Sequence, residues 1–144
     1  MSSKISILII DDNDEFTFLD WRQSFNDWLV YGDIYYDLAK LNHGITISHE
    51  LISKNLFTHK MVNHVITFDF LRKNVMVEIQ HQFENFVRSL TKHYHTDISY
   101  RKVQYLTHFI SANIASLHHY PYSLMLFHSG KLGLWQLLEQ DNNE

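Results

Sequence analysis

The N-terminal part of the chain contains two short apolar segments separated by an acidic turn. Residues 5–10 are almost continuously apolar, and residues 16–19 resume a strand-like composition rich in Phe. The Asp and Asn residues at 11–14 are typical of turns. The pattern therefore predicts a β-hairpin. Residues 20–32, which fit neither the period of a strand nor that of a helix, are predicted to form a loop.

The next segment predicts one helix and then shorter elements. Asp33 stands where an N-cap belongs, and apolar residues follow it at helical spacing as far as Leu41, with Gly44 as the expected end. Residues 48–54 are compatible with a short helical segment. Apolar and polar residues alternate over 61–68, which favours a small strand or a hairpin there.

Three helices are predicted in the C-terminal half. The first starts near residue 69. Ser99 or Asp97 is expected to cap the second helix. Pro121, the only proline, is expected to end the second helix and to open a third over 122–138. The stripes expected to face the core are Val75, Ile79, Phe83, Phe86, Val87 and Leu90 in the first helix, and Val103, Leu106, Ile110, Ile114 and Leu117 in the second.

The order of elements indicates an α+β fold in which a β-hairpin precedes a mainly helical lobe. Two strands rarely form a domain alone, and 144 residues are the size of one domain. We therefore expect one partial domain, divided into a hairpin with its loop (1–32), a helical lobe (33–138) and a frayed polar tail (139–144).

Charge and composition exclude several classes of protein. The net charge is −4 and no Lys/Arg cluster is present, so a nucleic-acid partner is not expected. No apolar run approaches the ~18 residues of a membrane span, so no membrane association is expected. Without cysteine the chain has no disulfides or thiolate metal sites, which fits a cytoplasmic protein. The 15% aromatic share indicates either a core of large rings or a cavity whose cover is missing.

Asp20 is the first residue with candidate chemistry. It directly follows the second apolar segment, and a carboxylate held at a strand end is a rigid ligand for Mg²⁺ in phosphoryl-transfer sites. The alternative is that Asp20 only ends the strand and bonds to the loop.

Asp33 and Asp37 lie one turn apart at the start of the first predicted helix. Asp33 is the expected helix cap, and an acidic residue such as Asp37 in the first turn complements the helix dipole. Neither role alone implies catalysis.

The eleven histidines do not form a recognisable metal motif, because their spacing matches neither a His-x-x-x-His helix pair with an acidic partner nor a zinc finger. We expect them to line a polar substrate pocket or to face water. The pairs close in sequence are His43 and His49, His93 and His95, and His118 and His119.

Three segments resemble the C-terminal part of bacterial proteins of the aminoglycoside phosphotransferase and choline kinase-like family, which have a protein-kinase-like fold. They are FTFLDWRQSF (16–25), YGDIYYDLAKLNHGI (31–45) and NIASLHHYPYSLMLFHSGK (113–131). Members found with surface-polysaccharide genes are the most similar in sequence to these segments. The resemblance extends roughly over residues 6–135, and the combination of the first two segments is more specific than either alone.

The resemblance implies roles for two of the acidic residues. Asp20 matches the family's strand-end metal ligand, which holds Mg²⁺ against the phosphates of ATP. Asp37 matches an Asp that braces the catalytic loop through backbone amides. The C-terminal helices would then shape the pocket for a small hydroxylated acceptor.

The chain also departs from the family pattern. The family's His-Gly-Asp catalytic loop comes just before the strand that here begins near Ile7, so the catalytic base is expected upstream of Met1. Ser6 stands where the family has a metal-binding Asn, and the nucleotide-binding lobe with its Lys is not found in these residues.

The leading hypothesis is therefore a C-terminal fragment of a kinase-like phosphotransferase, which transfers the ATP γ-phosphoryl group to a sugar or amino alcohol. On this hypothesis the chain alone is inactive and binds Mg²⁺ and ATP weakly, and a companion chain could supply the missing lobe. The alternative is a non-catalytic binding or interaction module. An upstream reading frame ending in His-Gly-Asp would favour the first hypothesis.

Overall fold

The structure is a computed structural model that describes residues 8–10, 16–18, 32–94 and 97–143. The chain divides into two compact units, Met1–Asp33 and Ile34–Glu144. In the first unit, β1 (Leu8–Ile10) pairs antiparallel with β2 (Phe16–Phe18), and Ile9 lies opposite Thr17. The predicted hairpin is confirmed.

The second unit is mainly helical, so the α+β class is also confirmed. α4 packs against α1 on one side and α5 on another, α3 packs against α1, and the hairpin of β3 and β4 packs against α5. The elements are α1 (Ile34–Thr46), α2 (His49–Ser53), β3 (Phe57–Val62), β4 (Val65–Phe70), α3 (Asn74–Tyr94), α4 (Tyr100–Ile114), a 3-10 turn (Ala115–Leu117) and α5 (Tyr122–Asp141).

Two clusters of buried side chains form the core of the second unit. The first joins α1, α3 and α4, and the second joins α2, α5 and the β3–β4 hairpin, with Phe57, Phe68 and Phe70 packed against it. The first cluster contains Leu38, Ala39, Ile45, Phe83, Val87, Leu90, Ile98, Tyr100, Val103 and Ile110. The second contains Ile47, Ile52, Ala115, Tyr122, Met125 and Leu126.

The predicted end of α1 at Gly44 is wrong, because the helix continues to Thr46. A glycine inside a helix costs about 1 kcal/mol relative to alanine. Ile45 and Ile47 on either side of Thr46 are buried. Burial of two such side chains contributes more than the glycine costs, so the helical backbone extends through it.

The predicted start of α3 near residue 69 is also wrong. Asp69 lies in β4 opposite Thr58, and α3 begins at Asn74. Phe68 and Phe70 pack against the second core cluster from alternate positions of β4, so strand pairing places in the sheet Phe70, which was predicted to be helical.

The expected apolar stripes are only partly buried. Phe83, Val87 and Leu90 of α3 lie in the core as predicted, whereas Val75 and Phe86 are 53% and 49% exposed. The buried residues of α3 all lie in its C-terminal part, which packs against the first core cluster. Periodicity identified the face of the helix but not how much of its length is covered.

The second stripe ends one turn earlier than predicted. Ile110 is buried and Ile114 packs against the core, but α4 stops at Ile114, and Leu117 in the 3-10 turn is 80% exposed. At the other end of α4, the Ser99 hydroxyl accepts a hydrogen bond from the backbone N–H of Lys102 at 3.2 Å. Of the two predicted caps, Ser99 is therefore the one used.

The last helix begins after Pro121, as predicted, but it continues to Asp141 and not only to residue 138. Arg101 of α4 explains the difference. Its guanidinium donates to the Leu137 carbonyl, to Gln140 Oε1 at 2.8 Å and to Asp141 Oδ1 at 2.8 Å. These bonds hold the final turn of α5, so residues 139–141 are not a frayed tail.

Candidate functional site

The predicted metal ligand, Asp20, lies outside the described residues. β2 ends at Phe18, two positions before it. Ser6, at the position of the family's metal-binding Asn, also lies outside them. The proposed magnesium site is therefore not assessed by the structure.

The other two predicted residues lie at the start of α1. Asp33 immediately precedes Ile34, the first helical residue, and so occupies the position of a helix cap. Asp37 is in the first turn of α1 and is exposed, whereas Leu38 and Ala39 after it are buried. An exposed carboxylate here complements the positive end of the helix dipole and can accept hydrogen bonds from another segment.

A buried polar contact fixes α1 against α4. The side-chain amide of Asn42 donates to Thr107 Oγ1 at 3.0 Å, and Thr107 in turn donates to the Val103 carbonyl at 2.8 Å. Asn42 and Thr107 are 3% and 4% exposed. Because α1 packs on α4 through this bond and the first core cluster, Asp37 projects from a firmly held helix.

Next to Asn42, His43 lies on the inner side of α1 and is 5% exposed. Its Nε2 atom is buried and has no hydrogen-bond partner. Burial, with smaller contributions from Lys40, His49, His118 and others nearby, lowers the pKa of His43 to about 4. The imidazole is therefore neutral at physiological pH.

Other histidines act electrostatically on His43, and two of them lie close to each other and to Tyr122. The ring of His118 lies 6.4 Å from that of His49 and 4.8 Å from that of Tyr122, and His119 lies 5.9 Å from Tyr122. Burial, followed by a contribution from the neighbouring His49, lowers the pKa of His118. We call His43, His49, His118 and Tyr122 the histidine cluster.

Tyr122 is the most deeply buried member of this cluster. It is 1% exposed, its hydroxyl has no hydrogen-bond partner, and burial raises its pKa to about 12. A phenol in this state is a neutral donor and not a base. The cluster thus contains uncharged polar groups in an apolar setting.

The burial of His43 differs from the expectation that the histidines line a substrate pocket or face water. His43 follows Ala39 by four residues, and both lie on the inner face of α1. The helical period could therefore have identified it as a core position.

A metal site is not found among the residues that the structure describes, since no three His, Asp or Glu side chains there lie close enough together to hold an ion. A cleft of about 610 Å³ does open at the start of α4. Its lining mixes cations with carboxylates, and Arg101 is paired with Asp141, so it lacks the uniform positive charge expected of a phosphate site.

Comparisons with protein-family models, curated proteins and solved structures gave no match for this chain. Within the described residues, no helix combines the length and apolar character needed to cross a bilayer.

Proposed function

We propose that these residues form the metal-ligand strand and the helical lobe of a kinase-like phosphotransferase, which transfers the ATP γ-phosphoryl group to a small hydroxylated acceptor such as a sugar or amino alcohol. The general base and the nucleotide-binding residues would come from outside these residues, for example from a companion chain. Asp20 would be the ligand for Mg²⁺, and Asp37 would brace the catalytic loop.

The main observation in favour of this proposal is the position of Asp37. It is an exposed acidic residue in the first turn of α1, and the same helix is fixed to α4 by the Asn42–Thr107 hydrogen bond. A residue that braces a loop has to accept backbone hydrogen bonds from a rigid support, because phosphoryl transfer depends on positioning. The sequence resemblance assigns Asp37 that same role.

Two predictions about activity follow from the proposal. The chain alone should bind ATP with Mg²⁺ weakly, because Mg²⁺ gives up its water reluctantly and relies on several oxygen ligands at once. The chain alone should not transfer phosphate, because neither a general base nor a phosphate-holding Lys has been identified in it.

The test combines calorimetry with complementation. Binding of ATP and Mg²⁺ is measured for the chain alone, and turnover on a panel of sugars and amino alcohols is measured after adding the N-terminal part of a related full-length enzyme. If turnover is restored, Asp20→Asn should abolish it and Asp37→Ala should lower it. The matched control is Glu78→Gln, an exposed acid on α3, which should leave turnover unchanged.

Two results would contradict the proposal. One is ATP turnover by the unaided chain, which would require a base and a phosphate clamp of its own. The other is restored turnover that survives Asp20→Asn, which would show that this carboxylate does not hold the metal.

A second candidate function is a non-catalytic interaction module. Exposed apolar side chains favour this function. Trp135 and Leu138 on α5 are 56% and 53% exposed, and Met61 near the tip of the β3–β4 hairpin is 68% exposed. Exposed apolar groups of this size are typical of protein contact surfaces. Under this proposal Trp135→Ser should abolish association of the chain with its partner, whereas Asp37→Ala should leave that association intact.

A further inference from the structure

His43 is enclosed by groups that cannot balance a positive charge. It lies on the inner side of α1, and the groups that act on it electrostatically come from three other segments as well as from its own helix. They are Lys40 on α1, His49 on α2, His108 on α4 and His118 after the 3-10 turn. Among the described residues, no carboxylate is part of this set.

The surrounding side chains leave the imidazole little chance to reach water. His43 is almost fully buried, and among the described residues its Nε2 has no hydrogen-bond partner. A proton added at Nε2 would create a buried charge without an acceptor, and Lys40 and three further imidazoles act electrostatically against that charge. Such a charge is costly in a protein interior unless it is paired.

We propose that the histidine cluster is an acid-sensitive latch, in which protonation of His43 releases α1 from its packing against α3 and α4. The latch closes when the cluster is neutral and opens in mild acid. It does not depend on the phosphotransferase proposal, because it rests only on residues of the second unit.

The pH window follows from the protonation of the two states. The pKa of His43 is lowered from its ordinary value of 6.5 to about 4 in the folded chain. Above pH 6.5 neither state binds the proton, and His43 has no effect on stability. Between pH 6.5 and about pH 4 the unfolded or opened chain binds a proton at His43 that the closed chain does not, so the stability of the closed chain falls as the pH falls. Below about pH 4 both states bind the proton, and the loss of stability levels off.

The effect is large enough to measure. From pH 7 to pH 5 this single group should lower the equilibrium constant for closing on the order of tenfold. Protonation of His49, His108 or His118 in the same range would add to the loss, because burial lowers the pKa of each of them as well.

The first experiment compares urea unfolding of the wild-type chain, His43→Gln and His81→Gln from pH 7.5 to 4.5. His81 is an exposed histidine on α3 and is the matched control. We expect the unfolding midpoint of the wild type and of His81→Gln to fall between pH 6.5 and 4.5, and the slope to be much smaller in His43→Gln. An unchanged slope in His43→Gln would overturn the proposal.

The second experiment remains decisive if His43→Gln does not fold. NMR titration of the wild-type imidazoles should show His43 neutral down to about pH 5. Hydrogen exchange at pH 5 should then show lost protection in α1 and retained protection in α5, which does not pack against α1. A His43 that titrates near 6.5, or a uniform loss of protection along all helices, would contradict the latch.

Discussion

The side-chain amide of Asn42 on α1 donates to Thr107 Oγ1 on α4 at 3.0 Å in the interior of the second unit. This bond lies within a mainly apolar contact between the two helices, where the Thr107 hydroxyl also lies 3.5 Å from the Ala39 carbonyl oxygen. Asn42 Oδ1 is buried and has no partner, so the amide depends on Thr107 alone among side chains. The same helix carries Asp37 outward and His43 inward, and the bond therefore fixes both.

Thr107→Val should destabilise the fold although it preserves the shape of the side chain. Valine cannot accept the hydrogen bond from Asn42, so a buried amide donor is left unpaired, which costs about 1–3 kcal/mol. Urea unfolding at pH 7 measures the difference. Thr67→Val, at an exposed position of β4, is the control and should change the free energy of unfolding by less than about 0.5 kcal/mol. Equal effects of the two substitutions would show that the buried bond contributes nothing.

Gly130→Ala and Gly44→Ala should have opposite effects on stability. A Cβ at Gly130 would lie 2.7 Å from the His108 carbonyl oxygen and 2.8 Å from the Ala112 nitrogen, so α4 and α5 would have to separate. Overpacking of this kind costs about 1–3 kcal/mol. A Cβ at Gly44 meets nothing within 4 Å, and alanine is favoured over glycine in a helix by about 1 kcal/mol.

Thermal unfolding of the two variants tests this pair together. The unfolding temperature should decrease for Gly130→Ala and increase for Gly44→Ala. A decrease for Gly44→Ala would mean that this position is not helical, as the original prediction of a helix end at Gly44 implied. No decrease for Gly130→Ala would contradict the close approach of α4 and α5.

Local patterns were sufficient to predict the elements whose signals are contained in a few neighbouring residues. The acidic residues at 11–14 predicted the first hairpin, Ser99 was one of the two predicted caps of α4, and Pro121 preceded the last helix. The Ser99 hydroxyl accepts from a backbone N–H three positions away and Pro121 directly precedes the helix, so the sequence alone contains these two signals.

Features that depend on distant contacts were not predictable in the same way. The last turn of α5 is held by Arg101, about forty residues earlier in the chain. The turn at Asn63 and His64 lacks the glycine that usually marks a two-residue hairpin. The last two residues of β4 were therefore predicted to belong to the following helix. The site residue Asp20 lies outside the described residues, so its predicted role stays a prediction.

Arg101→Gln should loosen the last turn of α5 without unfolding the rest. Glutamine cannot replace the guanidinium bonds to the Leu137 carbonyl, Gln140 and Asp141. Hydrogen exchange of the amides at 138–141 should become faster, while that of α1 stays unchanged. Arg88→Gln is the control. It removes an ion pair with Glu84 inside α3 and a cation–π contact with Tyr100 at the start of α4, and it should not affect α5.

The bonds of Arg101 to the last turn of α5 should persist in the pH range where the histidine latch opens. The hydrogen bond from Tyr105, and next the one from Arg101, lower the pKa of Asp141 below its usual range. A carboxylate with a lowered pKa contributes its stability above the unfolded value and loses it only as the pH falls through the lower folded value. Loss of protection at 138–141 already at pH 6 would contradict this assignment.

The turn between β3 and β4 provides a stabilising substitution, His64→Gly. Asn63 and His64 have φ angles of 47° and 65°, and Val62 pairs with Val65 across them, so both turn residues are in the left-handed region that a tight hairpin turn requires. Asparagine tolerates this region, whereas a residue with a larger side chain is strained there by about 1 kcal/mol. Glycine removes the strain and gives the Asn-Gly pair that favours such turns. We expect the free energy of unfolding to increase by about 0.5–1 kcal/mol. His64→Ala is the matched control, because it removes the imidazole but keeps the Cβ, and it should give no increase. If both variants were equally stabilising, the gain would come from loss of the imidazole and not from relief of the backbone, and the assigned turn would be wrong.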